Sequence, residues 1–261
     1  MKITLDWVKY ANSQGSVTSD DSPGAGDTEP AGNSIYVLQS VPTVTKVALD
    51  SATARTLLNG NETELYKFTV AADAKGSIAI KQLNLQLAWS DLGTDDSLEL
   101  ESVKIFRDGV DYTDSVVITD QAGTSVESTS GVTEGSTDLR VNFTTEDVIG
   151  ASQSRTYVIK ATPQGFKAAA PSETTLDSVS VYLEGDSSAN TSLYLTQASS
   201  NRVALGATAN AAYSAGTANN FIWSDLSSLA HSSSAGATAG GDWTNGYLVK
   251  SLNLAGETWS R

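Results

Sequence analysis

Regular alternation of apolar and polar residues is the feature that most limits what this chain can fold into. Several segments place an apolar side chain at every second position. Successive side chains of a strand point to opposite faces, so this pattern predicts strands with one face on a core and the other in water. No segment of similar length has the 3.6-residue period of an amphipathic helix, which predicts an all-β protein. The alternating segments are 3–7, 66–70, 139–143, 157–161 and 179–183.

Turn-forming residues separate these segments at intervals typical of a β-sandwich. Asn59-Gly60-Asn61 precedes one alternating segment, and Asp108-Gly109 follows another predicted strand. Asn, Asp and Gly favour tight turns between strands. The short segment 145–149 is also predicted to be a turn between two strands. We therefore predict an Ig-like antiparallel β-sandwich over residues 35–186.

Two of the predicted strands change phase partway along. In 78–89 the apolar parity changes after Ile80, and in 98–106 it changes after Leu100. One extra residue in each strand, a β-bulge, would return all the apolar side chains to one face. The alternative is a strand that crosses from one sheet to the other. Both interpretations favour a curved sandwich over a flat sheet.

The residues in front of the predicted sandwich read as a strand followed by a flexible linker. Residues 1–10 form the strand, and 11–34 are rich in Ser, Gly and Asp. A lone strand is not stable in water, so it is expected to pair with a sheet of its own subunit or of a neighbour. The length of the linker favours the neighbour. The side chains expected at that interface are Ile3, Leu5, Trp7 and Tyr10.

The C-terminal region, residues 187–261, is rich in Ser, Ala and Gly but also contains large aromatic residues. Three of the five tryptophans of the chain lie there. Disordered segments are usually poor in aromatic residues, so this region is predicted to dock on another surface and to end in a strand. We interpret its tryptophans as anchors of an interface between subunits. They are Trp223, Trp243 and Trp259.

Charge and composition exclude several classes of partner. The chain has 16 Lys and Arg against 30 Asp and Glu, a net charge of −14. Nucleic acids and anionic membrane surfaces require an excess of basic residues, so neither is expected as a partner. No run approaches the roughly 20 apolar residues that a membrane-spanning helix needs. The absence of Cys excludes disulfides and thiolate chemistry.

The sequence offers no catalytic constellation, and we predict that the protein is not an enzyme. His231 is the only histidine, which excludes any mechanism that uses two imidazoles. No Gly-x-Ser-x-Gly motif surrounds a serine, so a Ser-His-Asp triad has no sequence support. We interpret His231 as a structural residue.

Calcium is the one cofactor that the sequence suggests. Two predicted loops are rich in aspartate, and Ca²⁺ takes six to eight oxygen ligands from such loops. Neither loop has the spacing of an EF-hand, and ordinary solvated turns are the alternative interpretation. The candidate ligands are Asp91, Asp95 and Asp96 in one loop and Asp108, Asp111 and Asp114 in the other.

Two parts of the chain resemble known proteins. The segments Thr63–Leu83 and Asn220–Lys250, with Asn-Phe-Ile-Trp-Ser-Asp and Asp-Trp-Thr-Asn-Gly-Tyr-Leu-Val-Lys in the second, resemble secreted Ig-like proteins of candidate-phyla-radiation bacteria. Many of those are considered cell-surface or surface-layer components. The resemblance implies a surface-exposed structural protein in an extracellular location. The start of the chain lacks the apolar stretch of a signal peptide, so we expect a mature form or part of a longer protein.

Two functions follow as hypotheses. The first is a structural subunit of a self-assembling surface layer or filament, whose partners are copies of itself and which is held by β-strand addition and aromatic contacts. The second is an adhesin or carbohydrate-binding module, in which tryptophan faces stack on surface glycans. Self-association separates them, because a subunit polymerises alone and a binding module does not.

Overall fold

The structure is a computed structural model of the chain. It describes residues 37–49, 56–91, 97–126, 131–167, 176–186, 220–228, 231, 242–249 and 251–261, and the backbone of two further strands at 8–11 and 17–20. The chain divides into two units, Met1–Leu38 and Gln39–Arg261.

Unit 1 contains a two-stranded antiparallel hairpin. Strand β1 (Val8–Ala11) pairs with β2 (Val17–Asp20), with Val8 opposite Asp20. Strand β2 lies inside the segment predicted to be a flexible linker, and it gives β1 a partner within the same unit. The side chains of Ile3, Leu5, Trp7 and Tyr10 lie outside the described part of the structure.

Unit 2 is an antiparallel β-sandwich of two sheets, which confirms the predicted all-β sandwich fold class. No described helix is long and apolar enough to span a membrane. The six-stranded sheet contains, in spatial order, β3 (Thr43–Lys46), β4 (Thr63–Ala71), β11 (Ser154–Gln164), β6 (Glu99–Arg107) and β7 (Val110–Asp111), and β9 (Val132–Thr133) pairs with β6. The seven-stranded sheet contains β14 (Trp243–Asn245), β13 (Ile222–Ser224), β5 (Ile78–Ser90), β10 (Asp138–Ile149) and β8 (Val116–Asp120), and β12 (Ser178–Leu183) pairs with both β5 and β15 (Glu257–Ser260).

The core lies between the two sheets and is formed by the alternating residues of the sequence. Phe68 and Tyr157 of the six-stranded sheet are fully buried, with their ring centroids 5.4 Å apart. Phe143 of the opposite sheet meets Tyr157 edge-on at 6.0 Å. Aromatic contacts of this kind add to the burial of apolar area, so they help to hold the two sheets together.

Both predicted phase changes are β-bulges within a strand. In β6, Ser102 and Val103 together face the single residue Ala161 of β11. The extra residue, Ser102, has a backbone φ of +50°. As a result, the apolar residues on either side of the bulge, Leu100 and Val103, are both fully buried.

The second bulge involves both β5 and β10. Lys81 is an extra residue in β5 relative to β13, and opposite it residues 143–146 of β10 are inserted between two paired positions. The predicted turn at 145–149 is therefore wrong, because β10 continues to Ile149 after its bulge. The Lys81 side chain is 1% exposed, and its amine donates to the carbonyl oxygens of Phe143 and Thr144. Burial lowers the pKa of Lys81, and the nearby charge of Glu146 opposes this shift.

We expect Ser102→Gly to stabilise unit 2. A residue with a side chain pays about 1–2 kcal/mol in the left-handed region, whereas glycine adopts it freely. After subtraction of the entropic cost of glycine, the free energy of unfolding should increase by about 0.5–1 kcal/mol. Ser90→Gly, at the exposed end of β5, is the matched control and should lose about 0.5–1 kcal/mol. Urea unfolding of the two variants measures both changes, and a loss of stability in both would contradict the role given to the bulge.

Candidate functional site

The C-terminal region completes the seven-stranded sheet along one edge of β5. Strand β12 pairs with Leu85–Ser90, and β13 pairs with the stretch from Ala79 to Gln82. The two strands therefore share one edge, although residues 184–221 separate them in the sequence. The Glu184 N–H donates to the Asn84 carbonyl oxygen at 2.9 Å. This hydrogen bond lies at the point on β5 where the pairing with β12 ends and the pairing with β13 begins. The predicted docking of the C-terminal region thus takes place within the same chain.

Asp186 fixes the two segments that meet at this edge. Its carboxylate accepts the backbone N–H groups of Asn220 at 2.8 Å, Phe221 at 3.3 Å and Gly246 at 2.6 Å. Burial raises the pKa of Asp186, and these three hydrogen bonds oppose the shift. One carboxylate thereby holds the ends of β12, β13 and β14 in a fixed arrangement.

A polar cluster lies beside Asp186, at the point where β12 and β13 meet on β5. We call it the Asn84 cluster; it consists of Asn84, Asp138, Glu184 and Asn220. The Asn84 side chain is fully buried, and its Nδ2 lies 2.8 Å from Asp138 Oδ1, 2.9 Å from Glu184 Oε2 and 3.1 Å from Asn220 Oδ1. Burial raises the pKa of Glu184; the hydrogen bond from Asn84 opposes this shift, and the charges of Asp138 and Asp186 add to it.

His231 bridges the C-terminal region to the bulge of β10. Its Nδ1 lies 2.9 Å from Asp242 Oδ2, its Nε2 lies 3.0 Å from Glu146 Oε1, and its ring packs 5.1 Å from that of Trp243. Both nitrogens face groups of the chain itself, which makes His231 a clamp on the connection between β13 and β14.

The three C-terminal tryptophans are buried inside the subunit, which corrects their interpretation as anchors between subunits. Trp223, Trp243 and Trp259 are 0%, 1% and 2% exposed. Trp223 Nε1 donates to the Asn245 carbonyl oxygen at 3.0 Å, and Trp259 Nε1 donates to that of Leu65 at 2.9 Å. The physical reason is that the C-terminal region supplies strands to the sheet, so its aromatic residues find their packing partners in the sandwich.

The predicted calcium ligands lie in separate local arrangements. Asp108 accepts the Thr156 N–H at 2.8 Å and pairs with Arg155 at 3.3 Å. Asp111 accepts the Thr113 N–H at 3.0 Å, and hydrogen bonding with the side chain and then the backbone of Thr113 lowers the pKa of Asp111. Asp114 lies in a short 3₁₀ turn, Thr113–Ser115. Among the described residues no group of three or more His, Cys, Asp and Glu side chains could hold a metal ion. Asp91 is described, whereas Asp95 and Asp96 are outside the described residues.

One buried cluster had no counterpart in the sequence predictions. Asp147 of β10 accepts a hydrogen bond from the Tyr157 hydroxyl at 2.5 Å and one from Arg107 Nη1 at 2.8 Å, which joins the two sheets. Burial and the neighbouring Asp147 charge raise the pKa of Tyr157 well above its usual value. Asp147 fell in a predicted turn, and a carboxylate in a turn gives no signal of an interior position.

Comparison with known proteins gives little further information. No protein family and no curated protein matches the chain. Among solved structures, the chain is similar to the full-length major pilin RrgB from Streptococcus pneumoniae, with 11% identity and a TM-score of 0.23. The match covers 70% of this chain and 31% of the pilin chain, so the chain spans less than a third of that protein.

We expect Trp243→Ala to destabilise unit 2 by about 3–5 kcal/mol, the usual cost of truncating a buried tryptophan. Trp243 packs with Ala79 and Ile222 in an apolar cluster, and the cavity left behind would have no side chain to fill it. Tyr247→Ala is the control, since Tyr247 is 49% exposed and its loss should change stability by less than about 0.5 kcal/mol. Denaturant unfolding measures both changes. If the two variants are equally stable, the buried position of Trp243 is contradicted.

Proposed function

We propose that the chain is a non-enzymatic structural subunit of an extracellular surface structure. The observation that carries this proposal is the environment of His231, whose two ring nitrogens both face carboxylates of the same chain. A histidine that acts as a general acid or base must present one nitrogen to the substrate. His231 instead ties the C-terminal region to the sandwich.

The buried aspartates support the same proposal, because they are bonded to backbone N–H groups. Asp177 accepts the Lys167 N–H at 2.7 Å, and Asp225 accepts the Gln39 N–H at 2.8 Å. Both aspartates are at most 4% exposed. Carboxylates held in this way fix loop ends, and a rigid sandwich is what a structural subunit requires.

Self-assembly by β-strand addition is the second part of the proposal. In the described part of unit 1, β1 and β2 pair only with each other, which leaves one edge of each strand open. A two-stranded hairpin is marginal in water, and open edges tend to pair with other chains. When β1 of one hairpin pairs with β2 of the hairpin of a second copy, each pairing leaves an edge for the next copy. Such head-to-tail addition gives a filament or lattice.

The edges of the sandwich, by contrast, are partly closed by the chain itself. The Val126 N–H donates to the Ile118 carbonyl oxygen of β8 at 3.1 Å, and the Leu57 N–H donates to that of Ser260 in β15 at 2.8 Å. In β3, the Val44 N–H donates to Ser251 Oγ at 3.0 Å. Edges covered in this way are poor acceptors of an added strand, which favours the hairpin of unit 1 as the assembly element.

A carbohydrate-binding module is less well supported. Stacking on sugar rings needs exposed aromatic faces. Three of the five tryptophans on which this hypothesis relied, Trp223, Trp243 and Trp259, are buried, so the faces of these three are not accessible. We therefore retain the structural subunit as the proposed function.

Assembly should be lost when the hairpin can no longer offer backbone hydrogen bonds. Successive N–H groups of a strand point to opposite edges, so Lys9→Pro and Tyr10→Pro together remove one donor from each edge of β1. We expect the full-length double variant to stay monomeric at concentrations at which the unmodified chain forms filaments or sheets. Analytical ultracentrifugation and negative-stain microscopy measure this.

The matched control is Lys9→Thr with Tyr10→Thr, which keeps both N–H groups and a β-forming residue at each position. This control should assemble. If the proline variant assembles as well as the threonine variant, strand addition through the hairpin is refuted. If the unmodified chain stays monomeric at all concentrations, self-assembly itself is refuted.

A further inference from the structure

The Asn84 cluster contains more acceptor oxygens than its donors can satisfy. The Asn84 amide has two N–H groups, but three acceptor oxygens lie within 3.1 Å of its nitrogen. The side chain is 0% exposed, and its own carbonyl oxygen, Oδ1, is buried without a hydrogen-bond partner in the described structure. A buried acceptor without a partner destabilises the fold, so a group that satisfies these oxygens would stabilise it.

The three acceptor oxygens converge on one atom, the Asn84 amide nitrogen. Rotation of the Asn84 amide by half a turn exchanges its oxygen and nitrogen. Oδ1 then takes the place of Nδ2, and the oxygens of Asp138, Glu184 and Asn220 lie 2.8–3.1 Å from it. Neighbouring ligands of Ca²⁺ are about 3 Å apart, since each lies about 2.3–2.6 Å from the ion.

Neighbouring groups hold the ligands of the Asn84 cluster in place. The Thr137 hydroxyl donates to Asp138 Oδ2 at 2.9 Å, which fixes that carboxylate. Asn220 Nδ2 donates to the Gly185 carbonyl oxygen at 2.8 Å, which turns the oxygen of the Asn220 amide toward the cluster. The site therefore needs only the rotation of one amide to present four oxygens.

The local charge also calls for a cation. The charges of Asp138 and Asp186 both act on Glu184, and Arg140 offsets part of their effect. Asp138 and Glu184 place two carboxylate oxygens beside the buried Asn84 side chain, and a bound divalent ion would compensate their charge.

We propose that Asn84, Asp138, Glu184 and Asn220 form a calcium site that closes the seven-stranded sheet. Two carboxylates and two amide oxygens are hard ligands, and water would complete the six to eight that Ca²⁺ takes. With only two carboxylates, the affinity belongs to the range of about 10⁻⁴–10⁻³ M found in extracellular modules. The ion would join β5, β10, the end of β12 and the start of the segment that leads to β13. The site is distinct from the aspartate-rich loops suggested by the sequence.

The test is thermal unfolding of the full-length chain in EDTA and in increasing CaCl₂. Calcium at ten times its dissociation constant should raise the melting temperature by about 3–5 °C. Glu184→Gln should melt at or above the unmodified chain in EDTA, because a buried charge is removed. Its melting temperature should not rise when calcium is added. At high calcium it should therefore melt below the unmodified chain. Asp138→Asn should also abolish the rise.

Asp108→Asn is the control, because Asp108 lies in one of the aspartate-rich loops and pairs with Arg155. It should keep the full response to calcium. Terbium luminescence of the unmodified chain, excited through its aromatic residues, gives a second readout that Glu184→Gln should abolish. The proposal is overturned if calcium does not shift the melting temperature and terbium does not bind. It is also overturned if Glu184→Gln and Asp138→Asn respond as the unmodified chain does. Because the readout is the stability of one subunit, the result does not depend on whether the chain assembles.

Discussion

The long edge of β5 is the constraint on which the rest of unit 2 depends. This strand has 13 residues, and most of its side chains are buried. A buried backbone N–H or carbonyl without a partner is costly, so the whole edge needs a neighbouring strand. β12 covers only the half from Leu85 to Ser90, and β13 covers the part from Ala79 to Gln82. The C-terminal region is therefore a required part of the sandwich.

This shared edge explains why polar and charged side chains are buried there. Two strands that arrive from distant parts of the sequence must be aligned on one partner, and backbone pairing alone does not fix where one ends and the other begins. Asp186 bonds the N–H groups of Asn220 and Gly246, and His231 ties the following connection to β10. Directional hydrogen bonds specify position more narrowly than apolar contacts, at the cost of burying charge. In the seven-stranded sheet, charge is buried in this way where β12 and β13 meet on β5.

Much of the sandwich could be predicted because its signals are local. The period-two alternation of segments such as 139–143 and 179–183 depends only on neighbouring residues. The parity changes after Ile80 and Leu100 indicated either a bulge or a crossing between sheets, and the structure has the bulges. What could not be predicted was pairing between distant segments. β13 has only three residues, too few for a period, and nothing near Trp223 in the sequence shows that its partner is Ile80. The same holds for Asn84, whose partners at 138, 184 and 220 are known only once the strands are placed.

The strong negative charge of the chain and the burial of several carboxylates have a common consequence. At −14, the folded chain carries charge that repels itself, and each carboxylate that loses its contact with water adds to that cost unless backbone N–H groups or a cation compensate. Asp186, Asp225 and Asp177 are compensated by backbone N–H groups. Among the described residues, Glu184 accepts a hydrogen bond from the shared Asn84 amide, the charges of two further carboxylates act on it, and Arg140 offsets part of their effect. The negative charge of the seven-stranded sheet is therefore incompletely neutralised where β12 and β13 meet on β5. A divalent ion at that point would both lower the electrostatic cost and hold these two strands in register on β5.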